Sequence, residues 1–265
     1  MSYKHYIITR FMCDNFIKDY RKLDINSQET INKSLDIAKR HIISTLENQT
    51  NKNFTLMFLV SDNLSEENIY SILKLSDVLA IEVVRLSDLN YVIESVDTDY
   101  LITSRLDYDD HVYNNCVKDI QDLLNKNPEV KLWGVNQGMS LVDGEIIPHL
   151  MRREIFEQNK DGFFAPMISL ILKKEACKKY FDIYKLGYHI DCIRNFLNVQ
   201  SHYMKRDDYT LEDIYETTDE TELYYIWIRH KDSASAIVWN LIHSTNIRID
   251  ITESELNDIF GYKPY

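Results

Sequence analysis

Two rhythms of apolar residues alternate through roughly the first 110 residues of the chain. "HYIITRF" (5–11) reads as a strand, and "QETINKSLDIAKRHIISTLENQ" places Ile31, Leu35, Ala38, Ile42 and Leu46 on one helical face. "NFTLMFLV" (53–60) is apolar almost throughout, the pattern of a strand covered on both faces. "SDNLSEENIYSILKL" offers cap residues and early acidic positions ahead of a helix. A third strand follows in "LAIEVVRL" (79–86), a short helix in "LSDLNYVIES", and a fourth strand in "DYLITSRL" (99–106). Strands separated by helices need crossover connections, so the expected fold class is α/β, with a mainly parallel central sheet flanked by helices.

The second half is less regular. "NNCVKDIQDLL" (114–124) continues as a helix, "VKLWGVN" (130–136) as a strand, and "MSLVDGEIIPH" carries a D-G turn between two β-like runs, a hairpin signal. "PMISLILKK" (166–174) reads as a buried strand, "EACKKYF" and "HIDCIRNFLNV" (189–199) as helices, and "ELYYIWIRH" (222–230) as a last, aromatic strand. "KRDDYTLEDIYETTDETE" has no clear period and receives no element. A helical extension is expected over 241–265.

Composition narrows the function classes. With 45% hydrophobic and 27% charged residues, the 265-residue chain has the make-up of an ordinary water-soluble domain. No apolar run has the length of a membrane span, and "MSYKHYIITRF" lacks the pattern of a signal peptide, so a cytoplasmic protein is expected. The 42 acidic against 30 basic side chains leave a net charge of −12, which repels polyphosphate backbones and argues against nucleic acid as a partner. A phosphorylated ligand would then need a local cation, from a metal or a placed arginine. The 4 cysteines form no C-x-x-C pair, and Cys116 and Cys177 are read as small core residues.

In open parallel sheets, ligands sit beyond the carboxyl ends of the strands. That rule collects Thr9 and Arg10, Ser61 and Asp62, and the stretch Arg105–Asp110. Within the last, "RLDYDD" brings Asp107, Asp109 and Asp110 directly after an apolar strand. On an extended backbone, Asp107 and Asp109 of this D-x-D face one cavity, with Arg105 on the same side. Their oxygens suit a hard cation such as Mn²⁺ or Mg²⁺ that bridges substrate phosphates. The alternative is structural: Asp109 or Asp110 caps the helix that follows.

Together "ITRF", "LENQTNKNFTLMFLVSD", "TSRLDYDD" and "WIRHKDSAS" resemble the rhamnosyltransferase family, which is itself similar to the family 2 glycosyltransferases of the GT-A fold. The resemblance covers most of residues 5–240 and implies a GT-A-like domain over 1–240, with a donor half to about 110 and an acceptor half beyond it. It places Thr9, Arg10 and Phe11 near the nucleotide base of a nucleoside diphosphate sugar donor, Asp62 near base or ribose, and Arg105 beside phosphate or ribose. Asp107 would bind the ribose or metal region, and Asp109 would be the principal ligand of Mn²⁺ or Mg²⁺. The residue matching the catalytic base is Asp191 in "GYHIDCIRNF", with Asp161 as the second candidate. His230 would complete the metal site, with His189 as its competitor, and Ser233 and Ser235 are candidate phosphate contacts. The implied acceptor is a hydroxyl on a glycan or glycolipid, with inversion at the anomeric carbon, and peripheral membrane contact is compatible with that role.

Two other functions fit parts of this pattern. A sugar-phosphate nucleotidyltransferase shares the alternating start but carries a glycine-rich loop after its first strand, whereas "ITRFMCDNF" has no glycine. A non-catalytic nucleotide- or glycan-binding module on the same fold would keep the acids without turnover. Trp133, Trp239, Tyr224, Tyr225 and Trp227 are read first as packing residues and second as sugar platforms.

Overall fold

Strand β1 (Tyr3–Arg10) sends alternate side chains to opposite faces, as the period of two requires. Ile7 joins one core with Phe11, Leu56, Phe58, Ile102 and Leu106, while Tyr6 and Ile8 join a second with Met57, Leu59 and Leu101. Both faces are therefore covered, which is why β2 (Thr55–Val60) and β4 (Tyr100–Arg105) are buried along their whole length. The computed structural model describes residues 1–13, 24–126, 128, 132–135, 137–142, 145–150, 167–173, 214–217, 225–229 and 252–262.

The fold is mixed α/β, built on a mostly parallel sheet flanked by helices. β3 (Ile81–Arg85), β2, β1 and β4 lie side by side and parallel. β9 (Ile168–Lys173) then runs antiparallel to both β4 and β6 (Leu132–Val135), and β10 (Ile214–Thr217) pairs parallel with β6. The seven-stranded order is β10-β6-β9-β4-β1-β2-β3, with β9 the one reversed strand. A second sheet, β5-β11-β7-β8, contains β5 (His111–Val112), β11 (Tyr225–Arg229) and the hairpin of β7 (Gln137–Val142) with β8 (Glu145–Leu150).

Helix α1 (Gln28–Ala38) starts where the Ser27 side chain accepts from the Thr30 amide. It continues through a π-helical turn (Lys39–Ile43) into α2 (Ser44–Glu47). The wider turn buries His41, Ile42 and Ile43 together, and of the five residues expected on one face only Leu35 stays partly exposed. α3 (Glu66–Leu73), capped by Ser65, and α5 (Cys116–Lys126) pack on the same side, whereas Leu89 and Ile93 of α4 (Leu89–Ser95) enter the other core. Burial raises the Cys116 thiol pKa well above its ordinary value, in keeping with a core role.

The expected C-terminal helix is α6 (Glu253–Phe260), opened by a capping box of Thr252 with Glu255 and closed by Gly261 at φ +67°. It is integral to the main core through Leu256 and Phe260. A β-carbon at Gly261 would stand 2.8 Å from the Ser44 carbonyl oxygen and 2.9 Å from the Asn48 Cβ, so glycine is needed for the close approach as well as for φ. Two strands carried no usable period in the sequence: β10, inside the charged stretch, and the two-residue β5. The helices expected around 175–181 and 189–199 lie outside the described residues.

Candidate functional site

The parallel strands end in a row of polar residues, as the strand-end rule anticipates. Arg10 closes β1 and Arg105 closes β4. Both reach Asp107: Arg10 Nη2 stands 3.5 Å from Oδ1 and Arg105 Nη2 3.4 Å from Oδ2. The contacts are long for charge-assisted hydrogen bonds. Arg105 is nearly buried, while the Asp107 side chain is 36% exposed. The three residues form a partly open, charged cluster at the sheet edge, and they are three of the donor-site candidates.

Past Arg105 the backbone does not stay extended. The Asp110 amide donates to the Asp107 carbonyl at 3.2 Å, so Asp107–Asp110 is a tight turn. The alternation that would put Asp107 and Asp109 on one face therefore does not apply; the turn sets their directions instead. Tyr108 anchors it, packing edge-to-face on Phe11 at 5.4 Å between ring centroids. Its phenol pKa is raised by burial and by the neighbouring Asp109 and Asp107 carboxylates. Asp110 is buried and Asp109 half-buried.

The helix-cap reading of these acids fails. β5 follows Asp110 directly, and the next helix opens only at Cys116. Its first backbone bond runs from the Asp119 amide to the Asn115 carbonyl, beyond the reach of the acidic turn.

Thr9 and Phe11 lie fully buried beneath the edge. Phe11 packs edge-to-face on Phe58 as well as Tyr108, so in this conformation it seats the turn. Thr9 Oγ1 is a buried hydroxyl with no hydrogen-bond partner. Asp62 is exposed, and its Oδ1 accepts from the Ser87 amide at 3.0 Å, tying the end of β2 to the end of β3. A residue missed from the sequence is Arg85, the last of β3, whose guanidinium holds the 61–64 loop by its carbonyls. The strand-end rule would have found it had it been applied to "VVRL" as well.

Among the described residues no group of three or more His, Cys, Asp or Glu side chains is placed to hold a metal ion. Cations of the Mn²⁺ or Mg²⁺ type need only one or two carboxylates when substrate phosphates and water complete the shell. Asp109 and Asp107 are donors of that chemistry, and Asp107 also meets two arginines.

Two buried histidine clusters are excluded as catalytic centres. His5 Nε2 lies 2.8 Å from Ser104 Oγ and its Nδ1 3.1 Å from Gln121 Nε2, an outline like that of a Ser–His pair. Gln121 Oε1 accepts from Tyr3 and Asn51, which fixes the amide so that Nε2 donates to His5 Nδ1. His5 then carries its proton on Nε2 and donates to Ser104, the wrong direction for a base. Burial lowers its pKa to about 3. His111, also lowered to about 3 by burial, joins His41 at 2.9 Å and the Phe260 carbonyl at 3.2 Å, and so docks α6. Trp133 is 1% exposed and packs in the core, as first read.

Asp191, Asp161, His230, His189, Ser233, Ser235, Trp239 and Tyr224 lie outside the described residues, as do the side chains of Tyr225 and Trp227. The described candidates are those the resemblance assigns to the donor, with Asp109.

No protein-family model and no curated protein matches the chain. Similar solved structures include the mannosyltransferase PcManGT from Pyrobaculum calidifontis, solved with GDP-Man and Mn²⁺, at 9% identity and a TM-score of 0.47 over 91% of this chain and 60% of that one. S. aureus TarS is similar at 15% identity and a TM-score of 0.39 over 97% of this chain and 43% of that one. A cytidylyltransferase from Leptospira borgpetersenii is similar at 13% identity and 0.39, over 83% and 77%. The chain thus spans less than two thirds of the first two. Sugar transferases and nucleotidyltransferases stand together among these neighbours, so the chemistry has to be argued from this chain's own residues.

Proposed function

We propose that the chain is a metal-dependent glycosyltransferase of GT-A type that moves a sugar from a nucleoside diphosphate sugar to a hydroxyl on a glycan or glycolipid, with inversion. The observation that carries this reading is the convergence of Arg10, Arg105 and Asp107, with Asp109 on the same tight turn, at the carboxyl edge of a mostly parallel sheet. The overall charge of −12 disfavours a diphosphate, and Arg10 and Arg105 set two cationic side chains at this edge against that field.

In this reading Arg10 and Arg105 hold the donor's phosphate and ribose region, and Asp107, kept between them, accepts from the ribose. Asp109, with His230, holds Mn²⁺ or Mg²⁺, which supplies charge stabilisation for the departing diphosphate. Asp191 takes the proton of the acceptor hydroxyl as its oxygen bonds to the anomeric carbon and the bond to the diphosphate breaks. The absence of glycine after β1 disfavours a nucleotidyltransferase, which builds its phosphate loop there. No helix among the described residues is long and apolar enough to cross a membrane.

The test is a panel of nucleoside diphosphate sugars with Mn²⁺, assayed for released nucleoside diphosphate with and without mixed glycan acceptors. Mn²⁺-dependent release with one donor, abolished in Asp109→Asn, is expected. Nucleotide binding without any release would replace the enzyme by a binding module.

A further inference from the structure

The acidic turn runs directly into a histidine gripped by two distant parts of the chain. His111 follows Asp110 and is fully buried. Its Nδ1 faces the Phe260 carbonyl at 3.2 Å, which can only accept, so Nδ1 carries the proton and Nε2 accepts from His41 Nδ1 at 2.9 Å. The Tyr262 ring packs edge-to-face on it at 5.5 Å between centroids. The residues after it are fastened as well. The Thr45 hydroxyl accepts from the Val112 amide at 3.0 Å and donates to the Val112 carbonyl at 2.8 Å, and Gln49 Nε2 donates to the Tyr113 carbonyl at 2.8 Å.

Two uncommon backbone features serve this junction. The π-helical turn Lys39–Ile43, a rare form, carries His41. Gly261, in the left-handed region, turns the chain so that the residues flanking it, Phe260 and Tyr262, both meet His111. Asn114 also donates to the Asp258 carbonyl at 3.2 Å, so α6 grips the segment after the acidic turn at two points. With eight residues, α6 is too short to stand as a helix alone in water, and its helicity and its docking are one event.

We propose that α6 is a strap on the acidic turn: docked, it holds Asp107–Asp110 through His111 in the arrangement that binds a metal-assisted diphosphate; released, it frees the turn, so that the site is switched from the C-terminal helix. This rests on the donor site proposed above. His111 is then a positioning residue: both its ring nitrogens are taken by the protein, and it acts on the site through the backbone it shares with Asp110.

The experiment compares wild type with Gly261→Ala, which sets a β-carbon 2.8 Å from the Ser44 carbonyl oxygen, and with Glu255→Ala, which opens the capping box at the exposed start of α6. Amide hydrogen exchange reads α6 (253–260), the turn and its neighbours (107–113) and, as a control, β2 (55–60). Titration with Mn²⁺ alone and with Mn²⁺ plus inorganic pyrophosphate, followed by the paramagnetic resonance of Mn²⁺, reads the site. Gly261→Ala should speed exchange in both α6 and the turn, weaken Mn²⁺ binding about tenfold and leave β2 protected. Glu255→Ala should do the same to a smaller degree. By linkage, Mn²⁺ with pyrophosphate should slow the exchange of α6 in Gly261→Ala, an effect that a merely structural helix would not show. Faster exchange confined to 253–260 in both variants, with the turn and Mn²⁺ affinity unchanged, would overturn the proposal. Loss of protection in β2 together with the turn in both variants would overturn it too, since α6 would then be part of the global core and no strap. A wild type that binds Mn²⁺ in neither form would instead remove the donor site on which the proposal stands.

Discussion

β1 and β4 each contribute to two polar clusters, and the two are built on opposite rules. In the interior His5, Ser104, Ser169 and Gln121 join in a sealed chain with contacts of 2.6 to 3.1 Å, all four residues no more than 2% exposed. At the carboxyl edge Arg10, Arg105 and Asp107 meet at 3.4 to 3.5 Å, with the carboxylate over a third exposed. The first is neutral, short and saturated, as buried polar groups must be. The second is charged, with long contacts among its three members and a carboxylate partly open to water. Saturation marks a network that has completed its work when the chain folds, whereas long charged contacts at an open edge mark groups whose partners can be exchanged for those of a ligand.

The contrast breaks most sharply at Gln121. Gln121→Leu leaves the buried His5 Nδ1 and the Asn53 carbonyl without their donor. It should cost about 3 kcal/mol, read as a fall in melting temperature on the order of 5–10 °C. Nucleotide binding at the carboxyl edge should survive below that temperature.

A smaller effect separates the clusters by pH. The folded state holds His5 at about 3 instead of the ordinary 6.5, so below pH 6.5 the unfolded chain takes up a proton that the folded one refuses. The stability that a neutral His5 contributes is complete above pH 6.5 and is lost as pH falls toward 3. By pH 5 the loss is about 2 kcal/mol. The gap in stability between pH 7 and pH 5 should therefore narrow by about 2 kcal/mol in His5→Gln, with the buried His111 keeping its own share; an unchanged gap would show that His5 contributes none of it.

The smallest stability effect is expected where function is expected to be largest. Asp107→Asn removes long, partly exposed contacts and should change stability by less than about 1 kcal/mol in a denaturant titration. If it destabilises the protein as much as Gln121→Leu, the edge cluster is structural after all.

Much of the first half was legible because local signals agree there. "LMFLV" is an unbroken apolar run because both faces of β2 are covered, and Ser65 caps α3 from within the stretch that offered cap residues. β10 was missed because "IYET" lies in a run of charges, where pairing with β6 and not periodicity makes the strand. The acids were found by their place at a strand end, but their geometry was not. An extended D-x-D was assumed, and the Asp107–Asp110 turn with Tyr108 packed on Phe11 depends on residues nearly a hundred positions apart. The His41–His111 pair was invisible for the same reason: it exists only once α6 docks beside the π-helical turn. Arg85 was readable and overlooked.

The edge cluster is proposed to serve a metal-assisted diphosphate. Its most direct test is thermal unfolding of wild type and Asp109→Asn with nucleoside diphosphates, each with and without Mn²⁺. Ligand at about 100-fold over its dissociation constant adds roughly 2.7 kcal/mol, a rise on the order of 5–10 °C for a chain of this size. The account predicts that rise with one nucleotide, only with Mn²⁺, and its loss in Asp109→Asn at an unchanged unliganded melting temperature. No rise with any nucleotide, or the same rise in the variant, would contradict it.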